Sequence, residues 1–213
     1  MKLGLDGKVI IFTGGASGIG ASVVEKLALN GATPVIFDRS KPDRRFYDGV
    51  RRSTPDSEWR TFELCNDRDC NDAVSSVLNK LGKIEVLVNN AGVNDAVGLS
   101  AGPKEFRRYL YRNLVYYYTT TNLSVQEQNK RKDSIFNVSS KVVLTGQSGT
   151  SACAVAKGGI LALTREWAAE LANFGVRVNS VIPWGTITPM YKKWLKGFDH
   201  PWQKLNGIVS NIP

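Results

Sequence analysis

Six short stretches of strand character, most of them separated by segments of helical spacing, limit what this chain can become more than any other feature. "KVIIFTGG" (8–15), "TPVIFD" (33–38), "EWRTFEL" (58–64), "KIEVLVNN" (83–90), "SIFNVSS" (134–140) and "VRVNSVIP" (176–183) are the six. Most are apolar runs bounded by glycine, asparagine, serine or proline, as buried strands are. Between them, residues 17–30 set Ile19, Val23 and Leu27 at helical spacing and stop at Asn30-Gly31. Residues 67–81 and 150–173 also read as helices, and Pro103 suits the first turn of a long helix running to about Leu123. Apolar strands alternating with helices pack as a parallel sheet covered on both faces, so the fold class is α/β. A chain of 213 residues buries one good core, and residues 1–213 are expected to form a single domain. Residues 40–58, rich in Arg, Asp, Pro and Ser, read as its loosest part.

Composition removes several function classes. No apolar run approaches the ~18–20 residues that span a bilayer, and "MKLGLDGKVI" has no cleavable apolar stretch, so no membrane role is expected. Cys65, Cys70 and Cys153 do not make a disulfide framework, which points to a reducing, cytoplasmic home. A single histidine, His200, cannot anchor a metal site without neighbouring ligands, and no metal is expected. The formal charge is +9, with basic clusters at Arg44-Arg45, Arg51-Arg52, Arg107-Arg108 and Lys130-Arg131-Lys132. These are interleaved with acidic residues and accompany no nucleic-acid motif, so they read as solvated surface.

The chemistry begins at "TGGASGIG" (13–20), a glycine-rich turn that leaves the first strand and opens the first helix. Gly14 and Gly18 let the backbone approach a ligand, and Gly20 lets the helix pack close to the sheet. The amides of Ser17, Gly18 and Ile19 then face an anion at the positive end of the helix dipole. The turn lacks the Gly-Lys-Ser/Thr ending of an ATPase loop. Asp38 ends the second strand, 24 residues after Gly14, where a carboxylate accepts from both ribose hydroxyls of an adenosine and repels a 2′-phosphate. NAD is favoured on this ground, with NADP the alternative through Arg39.

The spacing T-G-x3-G-x-G, "NNAG" at 89–92, and Ser140 with Lys157 together resemble the short-chain dehydrogenase/reductase family, over essentially the whole chain. "NAGVND", "VSSKVVLTGQSGTS" and "ALTREWA" look most like its sugar-oxidising, L-fucose dehydrogenase-like members. The resemblance implies a Rossmann-like, doubly wound three-layer sheet of strand order 3-2-1-4-5-6, and hydride transfer between a nicotinamide and an alcohol or carbonyl. It also implies site roles. Asn90, Ala91 and Gly92 would line the cofactor, Glu63 and Leu64 would border the adenine, and Pro183, Thr186 and Thr188 would close over the carboxamide. Trp184 takes a position usually small. Asn113 matches an asparagine that holds a relay water, Ser140 the serine that binds the reacting oxygen, and Lys157 the lysine that grips the nicotinamide ribose.

One position departs from the pattern. Counting 13 residues from Ser140, or four back from Lys157, lands on Cys153 where the family carries its proton-moving tyrosine. A phenol oxygen lies roughly 6 Å from its Cα and a thiol sulfur about 3 Å, so the thiol falls short by about one water molecule. Three readings stay open: a weakened NAD-dependent alcohol or sugar dehydrogenase, a nicotinamide-binding protein with a sensing or assembly role, and a redox or nucleophilic thiol at Cys153. The resemblance also implies a seventh strand after the sixth, so the chain is expected to be C-terminally shortened. Tyr191 and Trp194, in "MYKKWLKGFDHPW" (190–202), are candidates to stack on a sugar face or to brace a lid. A homo-oligomer through the helices at 103–123 and 150–173 is expected from the resemblance.

Overall fold

The computed structural model describes residues 3–128 and 133–210. The basic triplet Lys130-Arg131-Lys132 and the final residues 211–213 lie outside the described residues. Six parallel strands form one sheet: β1 (Val9–Thr13), β2 (Thr33–Asp38), β3 (Glu58–Thr61), β4 (Val86–Asn89), β5 (Ser134–Val138) and β6 (Arg177–Val181). Their spatial order is β3-β2-β1-β4-β5-β6, the order the resemblance implies. The order reverses beside β1, so the crevice at the carboxyl ends of β1 and β4 is where an open sheet of this kind takes a ligand.

Alternate side chains of each strand feed two cores. Val9, Ile11, Val35, Phe37, Leu87 and Ile135 pack on one face against α3 (Asp67–Leu81), α5 (Tyr116–Gln128) and α6 (Ser151–Glu170). Phe12 and Ile36 pack on the other face against α1 (Gly18–Leu29) and α2 (Arg44–Ser53). β1 is buried at all five residues, which is why "VIIFT" shows no polar alternation.

One expectation changes, and another gains detail. The segment 40–58 contains α2, capped by Asp43, whose side chain accepts from the Phe46 amide at 3.1 Å. Tyr47 and Val50 anchor it, with the Tyr47 hydroxyl donating to the Ser57 carbonyl at 2.8 Å and its ring edge-on to Trp59. Arginines on the outward face obscure that short apolar stripe. The long helix expected over 103–123 forms and runs on to Gln128, as α4 (Pro103–Leu110) and α5 with a π-helical turn at Tyr111–Val115 between them. The lid region holds α7 (Pro189–Leu195) and α8 (Pro201–Val209).

Candidate active site

The glycine turn is built as a backbone cradle. Gly14 sits at φ +70°, and a Cβ there would lie 2.6 Å from the Ala91 Cα, so the first crossover passes directly over the loop after β4. A Cβ on Gly20 would run into the Gly14 carbonyl oxygen. Asn90 fastens the same junction: its side chain donates to the carbonyls of Thr13 and Gly14, both at 3.0 Å, and its amide donates to the Thr13 hydroxyl at 2.9 Å. The exposed Ser17 precedes α1 with its hydroxyl free of any capping bond, and no carboxylate occupies the first turn. The positive end of this helix is thus open to an anion.

Asp38 stands at the rim of the cradle. Its two oxygens accept from the amides of Ala16 at 3.0 Å and Ser40 at 2.9 Å, which hold the carboxylate at the end of β2. Glu63, two residues past β3, is exposed, whereas Leu64 belongs to the core, and its carbonyl accepts from the Cys70 thiol at 3.4 Å. Burial pushes that thiol up to about 12, with Asp67 and Asp69 adding to the effect. Gly92 is exposed and abuts the Asn113 amide oxygen.

Asn113 lies in the π-turn, 1% exposed, and ties two segments together. Its oxygen accepts from the Val93 amide at 2.9 Å and its nitrogen donates to the Tyr109 carbonyl at 3.0 Å. A π-turn interrupts the regular i→i+4 ladder, a common device where a helix borders a site. Ser140 follows β5 and caps a short 3₁₀ turn, with Ser139 beside it donating to the Lys157 carbonyl at 2.9 Å. The Lys157 ammonium, on a residue 9% exposed, donates to the Tyr117 hydroxyl at 3.2 Å and to the Val138 carbonyl at 2.8 Å.

Cys153 is half-buried on α6 and packs on the cluster of Val97, Tyr109, Ala152 and Ala156. Tyr109, 3% exposed, packs in the same cluster as Cys153; burial first, and the neighbouring thiol second, push its phenol far above its ordinary range. A phenol therefore stands beside the place where the family has its tyrosine, supplied by a different helix. Sequence spacing could not show this, because Tyr109 and Cys153 meet only through the packing of α4 on α6. The same holds for Tyr117 and for the buried ladder in which Asn89 bonds Thr120, Thr121 and Asn137, and Asn137 bonds Thr164. The run "YYY" at 116–118 and the asparagines within the strand runs were the available signals.

The segment after β6 closes the arrangement. The Pro183 carbonyl accepts from the Lys141 amide at 3.3 Å, and the Thr186 hydroxyl donates to the Trp184 carbonyl at 3.3 Å. Thr188 caps α7, and a Cβ on Gly18 would lie 3.6 Å from its Cβ, so the cradle and the closing segment meet. Tyr191 and Trp194 pack on each other, ring centroids 5.3 Å apart, and Trp194 packs on Phe198 at 4.8 Å. Among the described residues, no helix is long and apolar enough to cross a membrane and no group of three His, Cys, Asp or Glu could hold a metal ion.

The short chain dehydrogenase family model matches residues 8–198. This chain belongs to that family. L-fucose dehydrogenase of Bos taurus is 32% identical over 192 residues, covering 88% of this chain and 69% of that protein. The 3-oxoacyl-(acyl-carrier-protein) reductase FabG of Thermotoga maritima is 35% identical, with 89% and 78% covered. Among solved structures, Cj0485 dehydrogenase superposes with a TM-score of 0.96 at 37% identity, covering the whole of this chain and 82% of that one. Membership of the short-chain dehydrogenases implies a nicotinamide cofactor. The residues present fit one: the cradle at Gly14 and Gly20 leaves no room for side chains, and amides and a carboxylate converge on its rim.

Proposed function

We propose that this short-chain dehydrogenase is an NAD-dependent oxidoreductase acting on the CH–OH group of a sugar, polyol or small alcohol, with turnover weakened by Cys153. The observation that carries the cofactor reading is the cradle itself: Gly14 against Ala91, an uncapped Ser17, and Asp38 held at the rim. The amides of Ser17, Gly18 and Ile19 face the pyrophosphate, and Asp38 favours the unphosphorylated ribose. Asn90 keeps the loop in shape, Ala91 and Gly92 border the ribose, and Pro183, Thr186 and Thr188 bound the carboxamide side. Glu63 and Leu64 mark the adenine end. Bound nicotinamide supplies the hydride acceptor.

The chain's own part is to hold and deprotonate the hydroxyl. Ser140 orients it by a hydrogen bond. Cys153 is too short to reach it, so a bridging water passes the hydroxyl proton to the Cys153 sulfur, which takes it up as the thiolate and becomes the thiol. Tyr109 packs beside that thiol, and Lys157 fixes the floor beneath through Tyr117 and Val138. Asn113 holds the loop at Val93 in register with the site. Loss of a well-placed acid/base costs ~10²–10⁴ in rate. The L-fucose dehydrogenases among the relatives make aldoses the first substrates to try. Exposed Tyr111, Val115, Tyr118 and Val155 on the long helices suit a homo-oligomer, working in the cytoplasm.

A second reading, a nicotinamide-binding protein without turnover, is favoured by Lys157, whose ammonium is engaged by Tyr117 and Val138. One experiment separates the two. NADH is titrated by fluorescence, and L-fucose and related sugars are then assayed with the native protein and with Cys153→Tyr. The first reading expects measurable native turnover and a gain of roughly 10²-fold or more in the variant. NADH binding with no turnover in either protein supports the second, and failure to bind NADH or NADPH ends both.

A further inference from the structure

One residue along from Ser140, a second cavity of about 380 Å³ opens between the closing segment and α8, within the ~300–1,000 Å³ range of small-molecule sites. Lys141, Trp184, Gln203, Lys204, Gly207 and Ile208 line it. Among the described residues its lining holds no carboxylate, and its charged groups are the two lysines. Aromatic faces hold both ammoniums: Lys141 lies 4.6 Å from the Trp184 ring centroid, and Lys204 lies 5.2 Å from that of Phe198. A ring face attracts the cation but takes none of its N–H donors in a directed hydrogen bond to a carboxylate. Among the described residues, neither lysine forms a salt bridge. The surrounding stretch 183–210 adds Lys192, Lys193 and Lys196 against the single acid Asp199, so the local field is positive.

We propose that this pocket binds the phosphate of a phosphorylated substrate whose hydroxyl meets Ser140, which rests on the oxidoreductase reading above. Two ammoniums match the near-dianion of a phosphate monoester at neutral pH, and the Gln203 amide adds a neutral donor. A lone carboxylate would leave one cation uncompensated. The Trp184 ring, at a position the family usually keeps small, then has a reason: it stations Lys141 at the pocket wall.

The probe is inorganic phosphate, titrated calorimetrically into native protein saturated with NADH, against chloride and acetate at matched ionic strength. Saturable phosphate binding is expected, tighter than that of acetate. Lys204→Gln weakens it roughly tenfold, which is ~1.4 kcal/mol, whereas Lys204→Arg retains most of it. Lys204 is exposed, and circular dichroism of each variant checks that the fold is kept. Phosphate binding that is unchanged in both Lys204→Gln and Lys141→Gln, or no phosphate binding while NADH binds, overturns the inference and leaves the oxidoreductase reading standing. Absence of NADH binding sinks that reading instead. The phosphate titration is then made on cofactor-free protein, where the same lysine variants still decide whether the anion site exists.

Discussion

A single hydrogen atom at position 20 decides whether the cradle can exist. Gly20 packs under the Gly14 carbonyl, and that carbonyl already accepts from Asn90, so it cannot move aside freely. Gly20→Ala is therefore expected to cost about 1–3 kcal/mol as an overpacked site and to weaken NADH binding at least about tenfold. Thermal unfolding and a fluorescence titration measure the two, and an alanine variant with native affinity would refute the cradle. Position 109 offers a finer test. Tyr109→Phe keeps the ring that fills the space beside Ala152 and Ala156 but removes the hydroxyl next to the Cys153 thiol. Iodoacetamide labelling of Cys153, followed by peptide mapping, should accelerate in the variant, while Cys70 stays protected in both by its burial and high thiol pKa. Equal Cys153 rates in both proteins would show that Tyr109 does not restrain the thiol.

At the level of elements, the π-turn between α4 and α5 is where helix and site are joined. Asn113→Ala strips the partner from the Val93 amide and from the Tyr109 carbonyl at a residue that is nearly fully buried. Leaving such groups unpaired costs about 2 kcal/mol, a fall in Tm of roughly 4–8 °C for a chain of this size. A scanning calorimetry trace that matched native protein would contradict the role assigned to Asn113. The turn also shows where sequence reading stops. α3 at Asp67–Leu81 and β2 at Thr33–Asp38 were legible to the residue, because caps and apolar runs mark both ends locally. No glycine or proline marks the π-turn, and its cause is a tertiary tie to the loop after β4. α2 was missed for the opposite reason: its stripe is only Tyr47 and Val50, set among arginines. The same division runs through the site. Glycine spacing revealed the cradle because backbone geometry dictates it, but the pairs Tyr109–Cys153 and Tyr117–Lys157 join segments 44 and 40 residues apart.

Across the whole molecule, two groups, the half-buried Glu85 and the buried Cys70, set opposite limits on the pH range of the fold. Glu85 stitches the entry of β4 to β1: its carboxylate accepts from the Val9 amide and from the Lys83 ammonium, each at 2.9 Å. Burial alone would raise this carboxyl, but the Lys83 and Val9 hydrogen bonds and the charges of Lys83 and Lys8 outweigh it and hold the carboxyl below its ordinary range. The folded chain thus keeps Glu85 ionised at acidities where the unfolded chain protonates it. Its contribution is full above the ordinary glutamate range, ~4.3, and is lost as pH falls through the lower folded value. Cys70 works in the other direction. With its thiol pushed up to about 12, the folded chain keeps the proton that an unfolded cysteine, near ~8.5, has given up. Its contribution is full below that ordinary value and is lost as pH climbs toward the folded one. The profile of Tm against pH should therefore be flat between about 5 and 8, falling on both sides. Glu85→Gln should lower the plateau by roughly 2–4 °C, the equivalent of about 1 kcal/mol, and flatten the acid limb, because no proton is then taken up there on unfolding. Cys70→Ala should flatten the first part of the alkaline limb, above ~8.5, while the buried phenols of Tyr109 and Tyr116, both raised by burial, keep a later fall in place. If either substitution left its own limb unchanged in slope, the group assigned to that limb would not be the one that controls it.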